Sequence, residues 1–215
     1  MRIFIILAAF PLCFACAGMP EMRPLEVKKN DDRLRRSAAP FITGRWRLIH
    51  SINGTMPGGA TATMMGVSVV SSKTGSLRCS LLSIEGLVLM DAEYDGGLTI
   101  RRGIGPFGSR DFVMGVIRDI RLMLFRPPGD PKTGLTRDGR FTARYRVDGG
   151  TVDLVTGRTG NNVELYSYDA SNSVTRTVRF GPPREDGIPR TMELEARSPA
   201  RYSLQLELIE AEPVK

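Results

Sequence analysis

The stretch "GIGPFGSRDFVMGVIRDIRLMLFRPPG", Gly103 to Gly129, decides how the rest of the chain is read. It opens with Gly103, Gly105 and Gly108 at G-x-G-x-x-G spacing and runs directly into a helical period. In a dinucleotide-binding unit such glycines bring the backbone against a pyrophosphate, and buried parallel strands stand before and after the helix. The neighbours here supply neither strand. The preceding run, Leu98 to Arg102, is a hairpin partner reached through Asp95-Gly96-Gly97, and the following "RPPGDPKTGLTRDG" is a loop. Pro106 also removes a backbone donor from the supposed cradle. The glycines therefore read as a flexible approach that lets a helix swing onto a sheet.

The helix carries Phe112, Val113, Val116, Ile117, Ile120 and Leu124 on one side, with Arg118, Asp119 and Arg121 largely on the other. Ser109 and Asp111 supply a cap and a favourable charge for its first turn, and Pro127-Pro128 prevents continuation. It is the one convincing helical period in the chain. Outward from it, the dominant period is two. Trp46 and Leu48 alternate with Arg45 and Arg47, Leu77, Cys79 and Leu81 with Arg78 and Ser80, and Leu204, Leu206 and Leu208 with Gln205 and Glu207. Phe141, Ala143 and Tyr145 follow the same rule.

Turn residues separate these runs at Pro57-Gly58-Gly59, Thr74-Gly75, Glu85-Gly86, Asp95-Gly96-Gly97, Asp148-Gly149-Gly150 and Asp169 to Ser173. The pattern predicts strands near 45–51, 61–72, 76–84, 87–94, 98–102, 140–147, 163–168, 174–180, 191–197 and 202–209. Short antiparallel strands at this spacing predict a sandwich or barrel built of hairpins, with the apolar stripe of the helix covering the open face of a curved sheet.

The chain has 215 residues, 41% hydrophobic and 25% charged, which suits one substantial domain. Its start, "MRIFIILAAFPLCFACAG", places one Arg before an apolar run too short to span a bilayer, the build of a secretory signal peptide over residues 1–15. Ala15-Cys16 resembles a bacterial lipoprotein cleavage junction, although Cys13 and Phe14 stand where a Leu and a small residue are usual; Ala15-Cys16-Ala17 also fits ordinary signal peptidase. The expectation is a lipid anchor at Cys16, with periplasmic or secreted protein as the alternative. If Cys16 is acylated, Ala17 in place of Asp after it would, in the bacterial lipoproteins this junction resembles, favour the outer membrane. Residues 16–40, including the charged "VKKNDDRLRRSAAP", read as anchor and tether, and residues 41–215 as the folded domain.

The formal charge of +7 seeks anions, and in the envelope those are lipid headgroups rather than nucleic acid. Chemistry is sparse. His50 is the only histidine and follows Trp46 and Leu48 in alternation, so it reads as a satisfied barrel residue. Glu85, Asp91, Glu93 and Asp95 cluster in one hairpin with no converging group, and Cys79 sits among apolar neighbours. No catalytic residues, metal ligands or cofactor motif are expected. Met64, Met65, Met90, Met114 and Met123 add soft side chains to a hydrophobic interior.

This order of elements resembles the LolB-type outer-membrane lipoproteins of the LolA/LolB superfamily, and also a group of uncharacterised lipoproteins related to them. The resemblance rests on "TGRWRLI" (Thr43 to Ile49), "SLRCSLLSIEGLVLMDAEYDGG" (Ser76 to Gly97), "VIRDIRLMLFRPPGD" (Val116 to Asp130) and "IPRTMELEARSPARYSLQLELI" (Ile188 to Ile209). It implies a mainly β fold, an open antiparallel half-barrel lidded by one amphipathic helix, whose cavity accepts lipid or lipoprotein acyl chains without covalent chemistry. A periplasmic carrier protein would be a partner. Trp46, Leu48, Leu77, Leu81, Leu89, Phe112, Ile117 and Ile120 are the expected cavity or lid residues. The chain departs from LolB at the hairpin turn, where Glu85 precedes Gly86 in place of an exposed leucine and Ile84 lies one residue earlier.

The alternative to a lipid receptor is an accessory envelope lipoprotein that docks a protein partner over a filled core. Gly44-Arg45-Trp46 also matches the G-x-W that opens a lipocalin, but there the main helix follows the last strands instead of interrupting the sheet. A hydrolase would depend on His50 or Asp91.

Overall fold

The computed structural model describes residues 18–28, 31–157 and 162–214; the expected signal peptide, residues 1–15, and Cys16 lie outside the described residues. In chain order the elements are β1 (Arg23–Pro24), α1 (Asp32–Ala38), β2 (Arg45–Thr55), β3 (Thr61–Ser71), β4 (Leu77–Ser83), β5 (Val88–Tyr94), β6 (Leu98–Gly103), a 3-10 turn (Gly105–Gly108), α2 (Arg110–Leu124), β7 (Lys132–Leu135), β8 (Phe141–Val147), β9 (Gly150–Thr156), β10 (Val163–Asp169), β11 (Val174–Phe180), β12 (Thr191–Ala196) and β13 (Tyr202–Pro213). All thirteen strands belong to one sheet in the order β1-β7-β8-β9-β10-β11-β12-β13-β2-β3-β4-β5-β6. Every pairing is antiparallel, as the period-two pattern requires.

The connectivity explains the position of the helix. The meander β2 to β6 ends at one edge, the meander β7 to β13 starts near the other, and β13 zips onto β2 from Ser203–Thr55 to Pro213–Trp46. α2 joins β6 to β7 and so carries the chain from one edge of the sheet to the other. Bulges in the β10–β11, β13–β2, β4–β5 and β5–β6 ladders give a long sheet the local kinks it needs to curve. The result is mainly β, an open antiparallel half-barrel whose concave side α2 crosses. Among the described residues there is no parallel nucleotide-binding unit, because β6 stands at one end of an antiparallel sheet and β7 next to the other end.

α2 is capped as its sequence predicts: Ser109 Oγ accepts from the Phe112 amide at 3.3 Å, Asp111 stands in the first turn, and the helix stops before Pro127. The glycines ahead of it serve a contact rather than a swing. A Cβ on Gly103 would stand 2.2 Å from Gly108 Cα, so the chain leaving β6 folds back against the entry to α2 only because both residues lack side chains.

Three parts of the fold differ from the sequence reading. First, residues 18–40, expected as part of the tether, are partly built into the domain. β1 pairs with β7, and α1 lies against β8 and β9 with Leu34 packed on the core and Ser37 buried. Asp31 caps α1 through the Arg33 amide at 2.8 Å. One leucine among six mostly charged neighbours leaves no apolar period to read. Second, β9 carried no alternation because Val152, Asp153, Leu154 and Val155 are all buried, one after another. Third, β7 is four residues long and contains Gly134, where a Cβ would stand 2.6 Å from the Arg23 carbonyl oxygen of β1. Among the described residues no helix is long and apolar enough to cross a membrane.

Candidate functional site: a cavity beneath the crossing helix

Strand register places one row of the floor after another. From one end, the row Arg176, Ala196 and Tyr202 spans β11, β12 and β13; further along come Leu206 and Ile52 with Met64, then His50, Gly66, Leu81 and Met90 across β2 to β5. Alternation turns these residues to the concave side, under α2. Between floor and helix lies a cavity of about 340 Å³. Its roof is Phe112, Gly115, Val116, Asp119, Ile120 and Met123 of α2. The volume is of the size that small-ligand pockets occupy and is lined chiefly by apolar side chains.

The cavity has a definite mouth. Pro57 of the β2–β3 turn, Asp111, Pro199 and Ala200 line it and are exposed, whereas His50, Cys79, Met90 and Leu124 at the other end are buried. The mouth end also carries the β4–β5 turn, since Met64, shortly after the β2–β3 turn, pairs with Ser83. There Ile84 and Leu87, on either side of Gly86, are 69% and 50% exposed, and Ile104 after β6 is exposed too. The departure from the LolB pattern at Glu85 therefore does not leave this tip without exposed apolar side chains.

Gly115 keeps the space open, and Gly66 admits a neighbouring side chain to its floor. Around the Cβ position of Gly115, no other part of the molecule lies within 4 Å. Glycine in a helix interior costs about 1 kcal/mol relative to alanine, so its presence in the roof carries a cost in stability that packing does not demand. On the floor, a Cβ at Gly66 would meet Ile52 Cδ1 at 2.7 Å, which makes room beside His50 for the Ile52 side chain.

Of the residues expected at the cavity, Leu81, Phe112 and Ile120 line it. Leu48, Leu77 and Ile117 are fully buried in the core and do not reach it. Trp46 is half-buried in a separate groove beside Leu34, Phe41 and Ile188, and its indole Nε1 donates to the Thr43 carbonyl at 2.8 Å. Leu89 is the extra residue of a bulge between Val88 and Met90, packed against the core but outside the cavity. Met64, Met90 and Met123 line the space, while Met65, one residue out of phase with Met64, is 38% exposed. The carboxylates of the β5 hairpin stand apart: Asp91 binds Arg78 at 3.2 Å and Glu93 binds Arg101 at 2.6 Å, and neither lines the cavity.

The polar residues of the lining were not legible as a group. Asp119 departs most from the sequence reading: expected on the solvent side of α2, it is 5% exposed and faces the sheet. Its Oδ1 accepts from Arg176 Nε at 2.9 Å, and its Oδ2 accepts from the Tyr202 hydroxyl. Arg176 Nη1 donates to the Thr175 carbonyl at 3.1 Å and to the Ser198 carbonyl, and its guanidinium lies 5.6 Å from the Tyr202 ring centre. Burial raises the Asp119 carboxyl despite Tyr202 and Arg176, and burial next to Asp119 raises the Tyr202 phenol. Weak signals existed: Asp119 is three residues after Val116 and four before Met123, and Arg176 shares the parity of Val178 and Phe180.

His50 also differs from expectation. It is buried as predicted, but its Nε2 has no hydrogen-bond partner among the described residues. Burial alone pulls its pKa from 6.5 down to about 4, so the imidazole is neutral at pH 7. Burial likewise pushes the Cys79 thiol up to about 12, with Asp91 adding to the effect. Among the described residues no group of His, Cys, Asp and Glu is placed to hold a metal ion.

The fold has counterparts among solved structures. A LolA superfamily protein from Nitrosomonas europaea superimposes with a TM-score of 0.55 at 11% identity, over 86% of this chain and 93% of that one. The chain has a LolA-like fold. A DUF1329 family protein from Desulfovibrio piger (TM-score 0.34, 13% identity, 84% of this chain and 90% of that one) and the MucA/MucB complex of Pseudomonas aeruginosa (TM-score 0.27, 14% identity, 84% and 56%) are more distant. No family model matches the sequence, and no curated protein matches it.

Proposed function

We propose that this protein is an envelope lipoprotein, anchored to the outer membrane through an acylated Cys16, that holds lipid or lipoprotein acyl chains in the cavity beneath α2 and serves as a receptor in their transport. The observation that carries this reading is the open apolar space under a helix that keeps Gly115 facing it. Burial of each methylene there is worth about 0.8 kcal/mol, so a chain of ordinary length gains enough to bind without any covalent bond. Support for binding instead of catalysis comes from His50 and Cys79, whose burial moves them away from the values useful to a base or nucleophile at neutral pH. The exposed Ile84, Leu87 and Ile104 beside the mouth suit contact with a membrane during loading or release.

The test is displacement of N-phenyl-1-naphthylamine, an apolar dye that fluoresces in such cavities, by long-chain lipids. Wild-type protein should bind the dye and release it to lipid, whereas Gly115→Phe, which fills the roof, should stay folded and bind at least tenfold more weakly. A folded wild-type protein that neither takes up the dye nor co-purifies with lipid would refute the reading. Intact mass of the mature N-terminus tests acylation of Cys16.

A further inference from the structure

The cavity is apolar along most of its length, yet one charged group of each sign and a phenol meet in its wall near the mouth. Tyr202 opens β13 two residues after Ala200, with the exposed Arg201 between them, and it shares a cross-strand row with Ala196 and Arg176. The row of His50 meets β13 at Leu208, six residues further on and therefore about 20 Å deeper at the rise of a β-strand. An amphiphile entering tail first would lay its chain along the floor toward His50 and bring its polar end to Arg176.

The charges at that point determine what polar end fits. Asp119 and Arg176 neutralise one another, both lie largely out of water, and Asp111 at the rim adds negative charge. Among the described residues no cation beyond Arg176 lines the cavity, so a carboxylate or phosphate brought there would lose its hydration without gaining a counter-charge. A hydrogen-bond acceptor without charge faces no such penalty. Arg176 uses Nε on Asp119, Nη1 on two backbone carbonyls and one further contact on the Tyr202 hydroxyl, which leaves one of the five N–H donors of the guanidinium to spare. Asp119 and the Tyr202 ring fix the plane of the guanidinium from two sides.

We infer that Arg176, oriented by Asp119 and Tyr202, donates to the carbonyl of an ester- or amide-linked acyl chain, and that the cavity selects such uncharged head groups over free fatty acids. This rests on the acyl-chain reading above and adds the chemical class of the ligand and the residue that recognises it.

The experiment is competition against bound N-phenyl-1-naphthylamine at pH 8 by three twelve-carbon probes: methyl laurate, dodecyl methyl ether, which lacks only the carbonyl, and laurate. Wild-type protein should bind the ester about tenfold more tightly than the ether, the size expected for one buried hydrogen bond, and laurate more weakly than the ester. The variant Asp119→Leu/Arg176→Met removes both charges together, which avoids leaving one buried alone. In it the ester-to-ether ratio, which cancels any change common to both probes, should fall to about one. Equal affinity for ester and ether in the wild type, tighter binding of laurate, or a ratio unchanged in the double variant would each overturn the inference and leave the acyl-chain reading standing. Failure of the wild type to bind the dye and all three probes would overturn both.

Discussion

Acidification from pH 7.5 to pH 5 should weaken this protein chiefly through one side chain. His50 is the only histidine in the chain, and burial pulls its pKa from 6.5 to about 4. Between those values the unfolded chain binds a proton at His50 and the folded chain does not, so the unfolded state gains on acidification and stability falls as the pH drops. At roughly 1.4 kcal/mol per pH unit the whole interval is worth about 3 kcal/mol, of which about 2 kcal/mol is lost between pH 7.5 and pH 5. Urea denaturation at these two pH values measures it in the wild type and in His50→Leu. The variant keeps the apolar floor, removes an unpartnered Nε2, and should be as stable as the parent or more so at pH 7.5. Its own loss between the two pH values should be smaller than the parent's by about 2 kcal/mol. Asp119, whose carboxyl burial raises, works in the opposite direction, because the folded state takes up its proton first; it is common to both proteins and cancels in the difference. Equal pH dependence in the two proteins would falsify the placement of His50 as a buried, neutral imidazole, as would a His50 ring that titrates near 6.5 by nitrogen NMR.

Other outcomes follow from the packing. Gly115→Ala should raise stability by about 0.5–1 kcal/mol in thermal unfolding, since the added methyl meets open space and alanine favours the helix. Gly103→Ala should cost about 2 kcal/mol or more, because its Cβ would stand 2.2 Å from backbone of Gly108, and calorimetry would show a lowered Tm. Asp119→Ala strands Arg176 in a low-dielectric wall and should cost about 3 kcal/mol in denaturant titration, clearly more than Asp119→Leu/Arg176→Met. Ile84→Glu with Leu87→Glu should leave stability within about 0.5 kcal/mol, since both are exposed, while reducing sedimentation of the protein with lipid vesicles.

What the sequence determined by itself was the periodic part. Alternation in runs such as Leu77, Cys79 and Leu81 specifies strands with one wet face, because the side-chain period of a strand is two whatever its partner. Ser109, Asp111 and Pro127 bound α2 through local hydrogen bonding and backbone sterics, which do not depend on the rest of the fold. Elements held by tertiary contact left no such mark: β9 is covered on both faces and α1 offers only Leu34.

The cavity belongs to the tertiary structure for the same reason. Leu48, Leu77 and Leu81 look alike along the chain, and only the passage of α2 across the sheet between β6 and β7 decides that Leu81 borders open space while the other two are packed solid. Arg176, Asp119 and Tyr202 are far apart in sequence and meet because β11, β12 and β13 are neighbours and α2 passes over them. Local periodicity tells a residue which face it occupies; what that face meets depends on which distant strand or helix lies opposite, and that is settled only when the whole sheet has curved around its core.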